Sequence, residues 1–194
     1  MNLSVEAAFR FVNIPLDDRK RLQLTELAAW LRGEAIFAGA VGPLEDLRLE
    51  DRHLADSIVF AAGWDEPPGE CWDLGSGIGL PGLVLAVVWP ATRLILIDRS
   101  IRRLDLARRA ARIIGVSVET RLADIRSMEG SVEAIVSRAA VPAWRLAPHL
   151  RRTLKPGGLA VVSGSGDPPP GFETMEIPPG VLDHEGRLLI MHAQ

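Results

Sequence analysis

The sequence predicts an α/β fold, a mostly parallel sheet with helices on both faces, preceded by a small helical region. Two observations predict it. From residue 70 onward, short runs of branched apolar residues alternate with helical patterns, as they do in βαβ units. The first run ends in the glycine cluster GSGIGLPG, where a strand is expected to turn into a helix. We expect residues 1–65 to form the helical region and residues 66–194 the core, packed as one compact unit.

The individual elements follow from periodicity and from residues that end helices. Amphipathic helices are predicted over residues 15–32, beginning near Asp17, and over residues 47–62. The predicted strands are CWDL, RLILID, VSVETRLAD, VEAIVSRA, LAVVSGS and RLLIMHA. The segments LVLAVVW, IRRLDLARRAARIIG and AWRLAPHLRRTLKPGG are predicted helices, and Gly115 ends the second of them.

Length and composition limit the class of protein. The chain has 194 residues, 47% hydrophobic and 24% charged, with a formal net charge of −3, which fits one globular domain and argues against a dedicated nucleic-acid coat protein. The lone Cys71 cannot form an internal disulfide, which suits a reducing compartment. No secretory signal and no apolar run of about 18 residues is visible, so we expect a cytoplasmic protein without a membrane span. The four histidines lack metal-ligand spacing, and no metal site is expected.

The segment 73–82 is the strongest local signal for a ligand site. Its glycines let the backbone approach a ligand closely, and the start of the next helix offers N–H groups to polar or anionic atoms. Two overlapping glycine motifs can be matched to this segment, in two different frames. G-x-G-x-x-G from residue 77 matches the dinucleotide fingerprint, and D-x-G-x-G-x-G from residue 73 resembles motif I of class I S-adenosylmethionine-dependent methyltransferases. We favour the second frame, because the strand ends at Leu74 and the dinucleotide match starts too late in the turn.

Two further acids follow predicted strands. Asp98 ends the second strand, where the ribose hydroxyls of either cofactor would meet a carboxylate. The alternative is that Asp98 caps the helix that follows. Asp124 ends the third strand and resembles the methyltransferase position beside the adenine, but a plain loop acid fits the sequence nearly as well.

Three blocks of sequence narrow the interpretation: RHLADSI from residue 52, DLGSGIGLPG from residue 73 and SRA from residue 137. In this order they resemble the signatures of the bacterial small-subunit rRNA guanine-N7 methyltransferases, the glucose-inhibited division protein B family. The likeness covers roughly residues 48–165, with a weaker echo in EGRLLI from residue 185. It implies a Rossmann-like class I methyltransferase with a seven-stranded sheet. It also implies S-adenosyl-L-methionine as cofactor and 16S rRNA or the small ribosomal subunit as partner. We expect a monomer.

The resemblance also implies the residues of the site. The cofactor would contact Gly75, Leu80, Ala123, Asp124 and Arg138. Motif I adds Asp73, Gly77 and Gly79 to these contacts, and the general fold adds Asp98. Candidates near the target base are His53, Asp56 and Arg138. Ser57 can share the helical face of the first two, and a hydrogen-bonded His–Asp pair that packs the helix is the alternative. Guanine N7 has a lone pair and no proton to lose, so the reaction requires neither a general base nor a nucleophile.

Two segments depart from the family pattern. The stretch from Trp30 to residue 45 replaces Trp-Asn-Lys…Asn-Leu-Thr, and Val162-Ser163-Gly164 replaces Leu-Lys-Gly. A second hypothesis is therefore a non-catalytic, methyltransferase-like protein that binds RNA or the ribosome. A third, from the frame at residue 77, is an NAD-dependent oxidoreductase. Trp144 is the one tryptophan that we would test for base stacking; the basic groups that could meet phosphates are the six arginines of residues 99–112 and Arg145, Arg151, Arg152 and Lys155.

Overall fold

A seven-stranded sheet forms the centre of the molecule. The computed structural model describes residues 3–37, 42, 48–138, 140–164 and 166–193. The strand order is β3-β2-β1-β4-β5-β7-β6; β1 to β5 run parallel, and β7 pairs antiparallel with β5 and β6. This confirms the predicted Rossmann-like sheet. The strands are β1 (Glu70–Leu74), β2 (Arg93–Asp98), β3 (Glu119–Leu122), β4 (Val132–Ser137), β5 (Leu154–Ser163), β6 (Glu173–Ile177) and β7 (Gly186–His192).

Helices surround the sheet, and none in the described residues is long and apolar enough to cross a membrane. In the described parts of the chain, the π-helical segments are Leu31–Ala35 and Leu49–Ala55, and the 3₁₀ turns are Val59–Gly63 and Ile125–Ser127. The α-helices are α1 (Leu3–Phe11), α2 (Asp18–Trp30), α3 (Asp56–Ile58), α4 (Gly82–Val88), α5 (Ile101–Ile113) and α6 (Ala143–Thr153).

The region before the sheet is helical, as predicted. The Asp17 carboxylate accepts a hydrogen bond from the Lys20 N–H at 2.8 Å and caps α2 where the sequence placed its start. The helix predicted over residues 47–62 is present from residue 49 to 63, but as consecutive π, α and 3₁₀ turns. Leu47, where that prediction began, lies outside the described residues.

The central strands are buried on both faces of the sheet. In β2, Leu94 and Leu96 pack into the apolar core under α4 and α5, and Ile95 and Ile97 pack into the core under α6. Such a strand reads as a continuous apolar run rather than an alternating one. Helices on both faces therefore follow from the composition of RLILID and its neighbours.

Several predicted boundaries are wrong. The helix predicted to reach residue 158 ends at Thr153, and β5 begins at Leu154, because Pro156 and the left-handed Gly157 (φ +75°) cannot continue a helix. The third predicted strand shrinks to four residues at the edge of the sheet. Helix α1 and edge strand β6 were not predicted; in β6 only Ile177 is fully buried, so its apolar pattern is weak.

The strand order reverses at β1, the position that places the site. Strands β2 and β3 lie on one side of β1, and β4, β5, β7 and β6 lie on the other. In open α/β sheets a crevice forms outside the carboxyl ends of the strands at such a reversal. The loops after β1 to β4 therefore converge on one place.

Candidate functional site

A cleft of about 930 Å³ opens at the carboxyl ends of β1 to β4, with a volume typical of small-molecule sites, roughly 300–1,000 Å³. The loops after these strands and the helical segment from residue 49 to 58 form its walls. Most of the predicted site residues are brought together there. Those that line the cleft are His53, Asp56, Gly75, Gly77, Leu80, Asp98, Ala123, Asp124 and Arg138.

The glycine loop begins directly after β1. The N–H groups of Gly75 and Ser76 donate to the Ile97 carbonyl at 2.8 and 3.0 Å, which turns the chain away from the sheet. Gly75 has φ +70°, and a Cβ there would lie 2.3 Å from the Ala140 Cβ. Gly77 has φ +58°, and no described atom beyond its neighbours lies within 4 Å of the place of its Cβ. The D-x-G-x-G-x-G motif that begins at residue 73 therefore matches the turn, and Gly77 faces the open cleft.

The later glycines serve helix packing. A Cβ on Gly79 would lie 2.6 Å from Leu83 Cδ1, and one on Gly82 would lie 2.2 Å from Leu96 Cδ2. The Gly82 N–H donates to Asp73 Oδ2 at 2.8 Å, and the Leu83 N–H donates to the Gly79 carbonyl at 2.6 Å. The expectation that the start of this helix offers its N–H groups to a ligand is therefore wrong for these two groups. Contrary to the prediction, Gly79 does not line the cleft.

Asp73 lies behind the glycine loop. Its side chain is fully buried; one oxygen accepts from Gly82, and Oδ1 has no hydrogen-bond partner among the described residues. Burial raises the pKa of Asp73 to about 7, against the lowering effects of the Gly82 N–H and the Arg138 charge. Asp73 thus anchors the start of α4 and, contrary to the prediction, does not line the cleft.

Ser76 was missed by the sequence analysis. It lies between two cleft-lining glycines, its side chain is 2% exposed, and it lines the cleft wall. The Oγ atom has no hydrogen-bond partner among the residues that the structure describes. Buried hydroxyls are usually hydrogen-bonded, so this atom is a candidate ligand contact.

Asp98 ties two segments together at the cleft. Its Oδ2 accepts from the Gly77 N–H at 3.0 Å and its Oδ1 from the Ser100 N–H at 2.8 Å. The predicted alternative, a cap on α5, belongs to Ser100, whose hydroxyl accepts from the Arg103 N–H. Each carboxylate oxygen has more than one lone pair, so Asp98 keeps acceptor capacity toward the cleft.

Asp124 shapes another wall. It caps the 3₁₀ turn by accepting from the Arg126 N–H at 2.9 Å, and it binds the Arg126 guanidinium at 2.9 and 2.7 Å. The guanidinium hydrogen bonds hold the pKa of Asp124 well below its usual range. Ala123 is held by its N–H, which donates to the Asp98 carbonyl at 3.1 Å. This position is compatible with both interpretations of Asp124, as a residue beside the adenine of the cofactor and as a plain acid of the loop.

Arg138 joins β4 to the π-helical segment. Its guanidinium donates to the Arg52 carbonyl at 3.2 Å and lies 3.4 Å from His53 Nδ1. Asp56 lies in the same cluster, with Oδ1 3.5 Å from His184 Nε2. Burial raises the pKa of Asp56 to about 6, although the charges of His184 and Arg138 act in the opposite direction. The three candidates for the target-base side are thus neighbours on one wall.

The turn between β6 and β7 completes this cluster. His184 Nδ1 lies 2.6 Å from Asp183 Oδ1, which is 3.6 Å from Arg52 Nε. In the sequence His184 is one of four scattered histidines, and no local pattern connects it to Asp56. Ser57 does not share the predicted face: it is fully buried and donates back to the His53 carbonyl at 2.5 Å.

The comparison with solved structures identifies the class of fold. A mutant of MtNAS solved in complex with S-adenosylmethionine has a TM-score of 0.59 and 17% identity, over 90% of this chain and 73% of that chain. Identity at this level shows the fold alone. With this strand order and the glycine loop after β1, the fold is that of a Rossmann-like class I methyltransferase.

The family follows from the sequence. The family model for rRNA small subunit methyltransferase G, GidB, matches residues 23–165, and the chain belongs to this family. This confirms the resemblance. "Ribosomal RNA small subunit methyltransferase G" of Mycolicibacterium gilvum is 35% identical over 133 residues, 66% of this chain and 58% of that protein. The protein of the same name from Mycobacterium marinum is 32% identical over 168 residues, 79% of this chain and 73% of its own length.

Proposed function

We propose that the protein is an S-adenosylmethionine-dependent methyltransferase that methylates N7 of a guanine in 16S rRNA and acts in the cytoplasm. Membership of the rRNA small subunit methyltransferase G family supports the reaction and the substrate. The observation that carries the proposal is the cleft itself, where the left-handed Gly77 faces open space and Asp98 lies beside it. We also propose that residues 1–65 and 66–194 form one compact unit, because their apolar side chains share a core.

The residues present fit the cofactor. Gly77 leaves room for the methionine end, and the Ser76 hydroxyl, which has no partner among the described residues, would hydrogen-bond to it. Asp98 would accept hydrogen bonds from the ribose hydroxyls with its remaining lone pairs. The adenine would lie against the segment 123–125, which lines the same cleft.

The protein's part in the reaction is orientation, electrostatics and exclusion of water. When bound, S-adenosylmethionine would supply a methyl group on a sulfonium, and transfer of that methyl to N7, with loss of its bond to sulfur, would leave the positive charge on the guanine ring. Since no proton leaves N7, no side chain must act as a base. Above a pH of about 6, Asp56 is ionised, and its charge favours the positive charge that develops on the base. Arg138 holds the helical segment that presents His53 and Asp56.

One observation favours the second hypothesis, a binding protein without activity. Ser163, at the position where the family has a lysine, lines the cleft. Of the other divergent segment, residues 38–41 and 43–45 lie outside the described residues. The oxidoreductase hypothesis loses support, because Gly79, the glycine that would approach the pyrophosphate in that motif, packs against Leu83 and does not line the cleft.

Calorimetry and methyl transfer test the proposal together. We expect S-adenosylmethionine to bind and its labelled methyl group to enter unmethylated small ribosomal subunits or their 16S rRNA. Binding without transfer would favour the non-catalytic hypothesis, and heat from NADH but not from S-adenosylmethionine would favour the oxidoreductase.

A pair of matched variants tests the assignment of the ribose acid. Asp98→Asn should weaken S-adenosylmethionine binding roughly tenfold or more, because charge-assisted hydrogen bonds are lost. Asp124→Asn should have a much smaller effect, because the Asp124 carboxylate is already occupied by Arg126. Equal effects of the two substitutions would contradict the assignment.

A further inference from the structure

An exposed tryptophan, Trp144, is the sequence neighbour of Arg145, a residue of the cleft wall. Trp144, on the first turn of α6, is 61% exposed, whereas the other four tryptophans are buried or half-buried. Val141, three residues earlier, is 40% exposed and lines the cleft, so two large apolar side chains face solvent near the start of α6. Exposed apolar patches with a polar rim mark interaction sites. The Arg145 guanidinium lies 4.8 Å from the centroid of the Trp144 ring, and Arg145 also lines the cleft.

The cleft is positively charged although the chain is acidic. The formal net charge of the whole chain is −3. Asp124 is paired with Arg126, and Asp98 accepts from two backbone N–H groups, which offsets much of their negative charge. A positive cleft on an acidic protein complements a polyanion. Among the described residues, the cleft is lined by five arginines and three aspartates: Arg99, Arg103, Arg126, Arg138, Arg145, Asp56, Asp98 and Asp124.

Four of the other basic residues of the predicted groups make contacts that support the fold. On α5, Arg108 binds Asp105 and Arg109 lies 3.2 Å from Glu34. Later on α6, the arginines at 151 and 152 donate to backbone carbonyls of neighbouring loops. Arg145 makes no ion pair with any described residue and contacts the indole instead. It is therefore better placed than these arginines to bind an external anion.

We propose that Trp144 and Arg145 form a platform for a nucleotide that flanks the target guanine. This inference rests on the proposed function, since it names the surface that the RNA would contact. One base stacks on the indole face opposite the guanidinium, and Arg145 binds the adjacent phosphate. Stacking of single-stranded bases on exposed aromatic rings, with arginine on the backbone, is how proteins bind unpaired RNA. Because Arg145 belongs to both the platform and the cleft wall, the neighbouring nucleotide can reach the cofactor side.

Fluorescence anisotropy with a labelled single-stranded RNA of about 12 nucleotides, containing one guanine, tests the platform. We expect Trp144→Ala to weaken RNA binding about tenfold, and Trp144→Phe to retain most of the affinity, because stacking needs the ring. Arg145→Ala should lower the slope of log K against log salt by about 0.7, the value for one phosphate contact on a single strand. The matched controls Ile113→Ala and Arg112→Ala, at the exposed end of α5, should leave affinity and slope unchanged.

The outcomes separate this inference from the proposed function. RNA binding by Trp144→Ala that equals the wild type, or losses no larger than in the controls, would overturn the platform. A variant that binds small ribosomal subunits more weakly but naked RNA equally well would also overturn it, since the contact would then be to protein. The RNA titrations contain no cofactor, whereas the proposed function fails only if the wild type binds no S-adenosylmethionine or transfers no methyl group. Calorimetry with S-adenosylmethionine on each folded variant keeps the two results apart.

Discussion

The glycine loop and the His53–Asp56 cluster line the same cleft but are built differently. In the loop, Asp73 binds the Gly82 N–H only nine residues along the chain. In the cluster, Asp56 meets Arg138 from β4 and His184 from the β6–β7 turn. The loop therefore has one anchor within its own segment, in addition to its hydrogen bonds with β2, whereas the cluster joins segments from three distant parts of the chain.

The two aspartates show the consequence of this difference. Burial dominates at both, and it raises the pKa of Asp73 to about 7 and that of Asp56 to about 6. At Asp73 the main opposing influence is a backbone N–H, which a side-chain substitution elsewhere does not remove. At Asp56 the opposing influences are the charges of His184, Arg138 and Arg52, which lower the pKa, whereas the charge of Asp183 raises it. The titration that Asp73 contributes should therefore change mainly when Asp73 itself is substituted. The pKa of Asp56 should change when His184, Arg138 or Arg52 is substituted.

The largest effect is expected from breaking the loop. Gly75→Ala combines a left-handed backbone with a Cβ placed 2.3 Å from that of Ala140, and should lower the free energy of unfolding by about 3 kcal/mol. Gly77→Ala shares the left-handed backbone but meets no described atom within 4 Å, so it should cost only about 1 kcal/mol. Urea unfolding measures both, and equal losses would show that the approach to Ala140 does not matter.

The second largest effect is the pH dependence of stability that the buried Asp73 causes. The folded pKa of Asp73 lies above its unfolded value, so the stability that it contributes is greatest at low pH and is lost as pH rises from about 4 to about 7. Asp73→Asn keeps an oxygen for the Gly82 N–H but cannot ionise. Relative to wild type, the free energy of unfolding of Asp73→Asn should be about 2 kcal/mol larger at pH 8 than at pH 5, because the variant does not lose stability as pH rises. The exposed Asp65→Asn is the control; a pH-independent difference for Asp73→Asn would refute the burial argument.

The smallest effect is expected on the pH profile of methyl transfer, and it tests whether Asp56 controls the rate. His184→Gln removes the largest charge that lowers the pKa of Asp56, so that pKa should rise above about 6. The acid limb of the rate profile for methyl transfer should shift to higher pH, with a roughly twofold loss of rate at pH 6 and little change at pH 8. His192→Gln, on an exposed histidine of β7, should not move the limb. An unchanged profile in His184→Gln would mean that Asp56 does not control the rate.

The sequence was informative where chemistry and geometry are local. The order of strands and helices, the start of the glycine turn at Gly75 and the position of Asp98 at the carboxyl edge all follow from short patterns and the rules of parallel sheets. The partners of these groups were less predictable. Ser100, not Asp98, caps α5, and Asp73 faces α4 rather than the cleft, because the exact direction of each side chain depends on what packs beside it.

By itself, the sequence determined the fold class, the family and the loop that shapes the cleft, since apolar periodicity and consecutive glycines act over a few residues. Only the tertiary structure decided that His184 meets Asp56, that Ser76 keeps an unpartnered hydroxyl in the described part of the chain, and that Trp144 stands exposed beside Arg145. Burial and long-range contacts decide these features, and both arise only when β4, α6 and the β6–β7 turn are brought around the same end of the sheet.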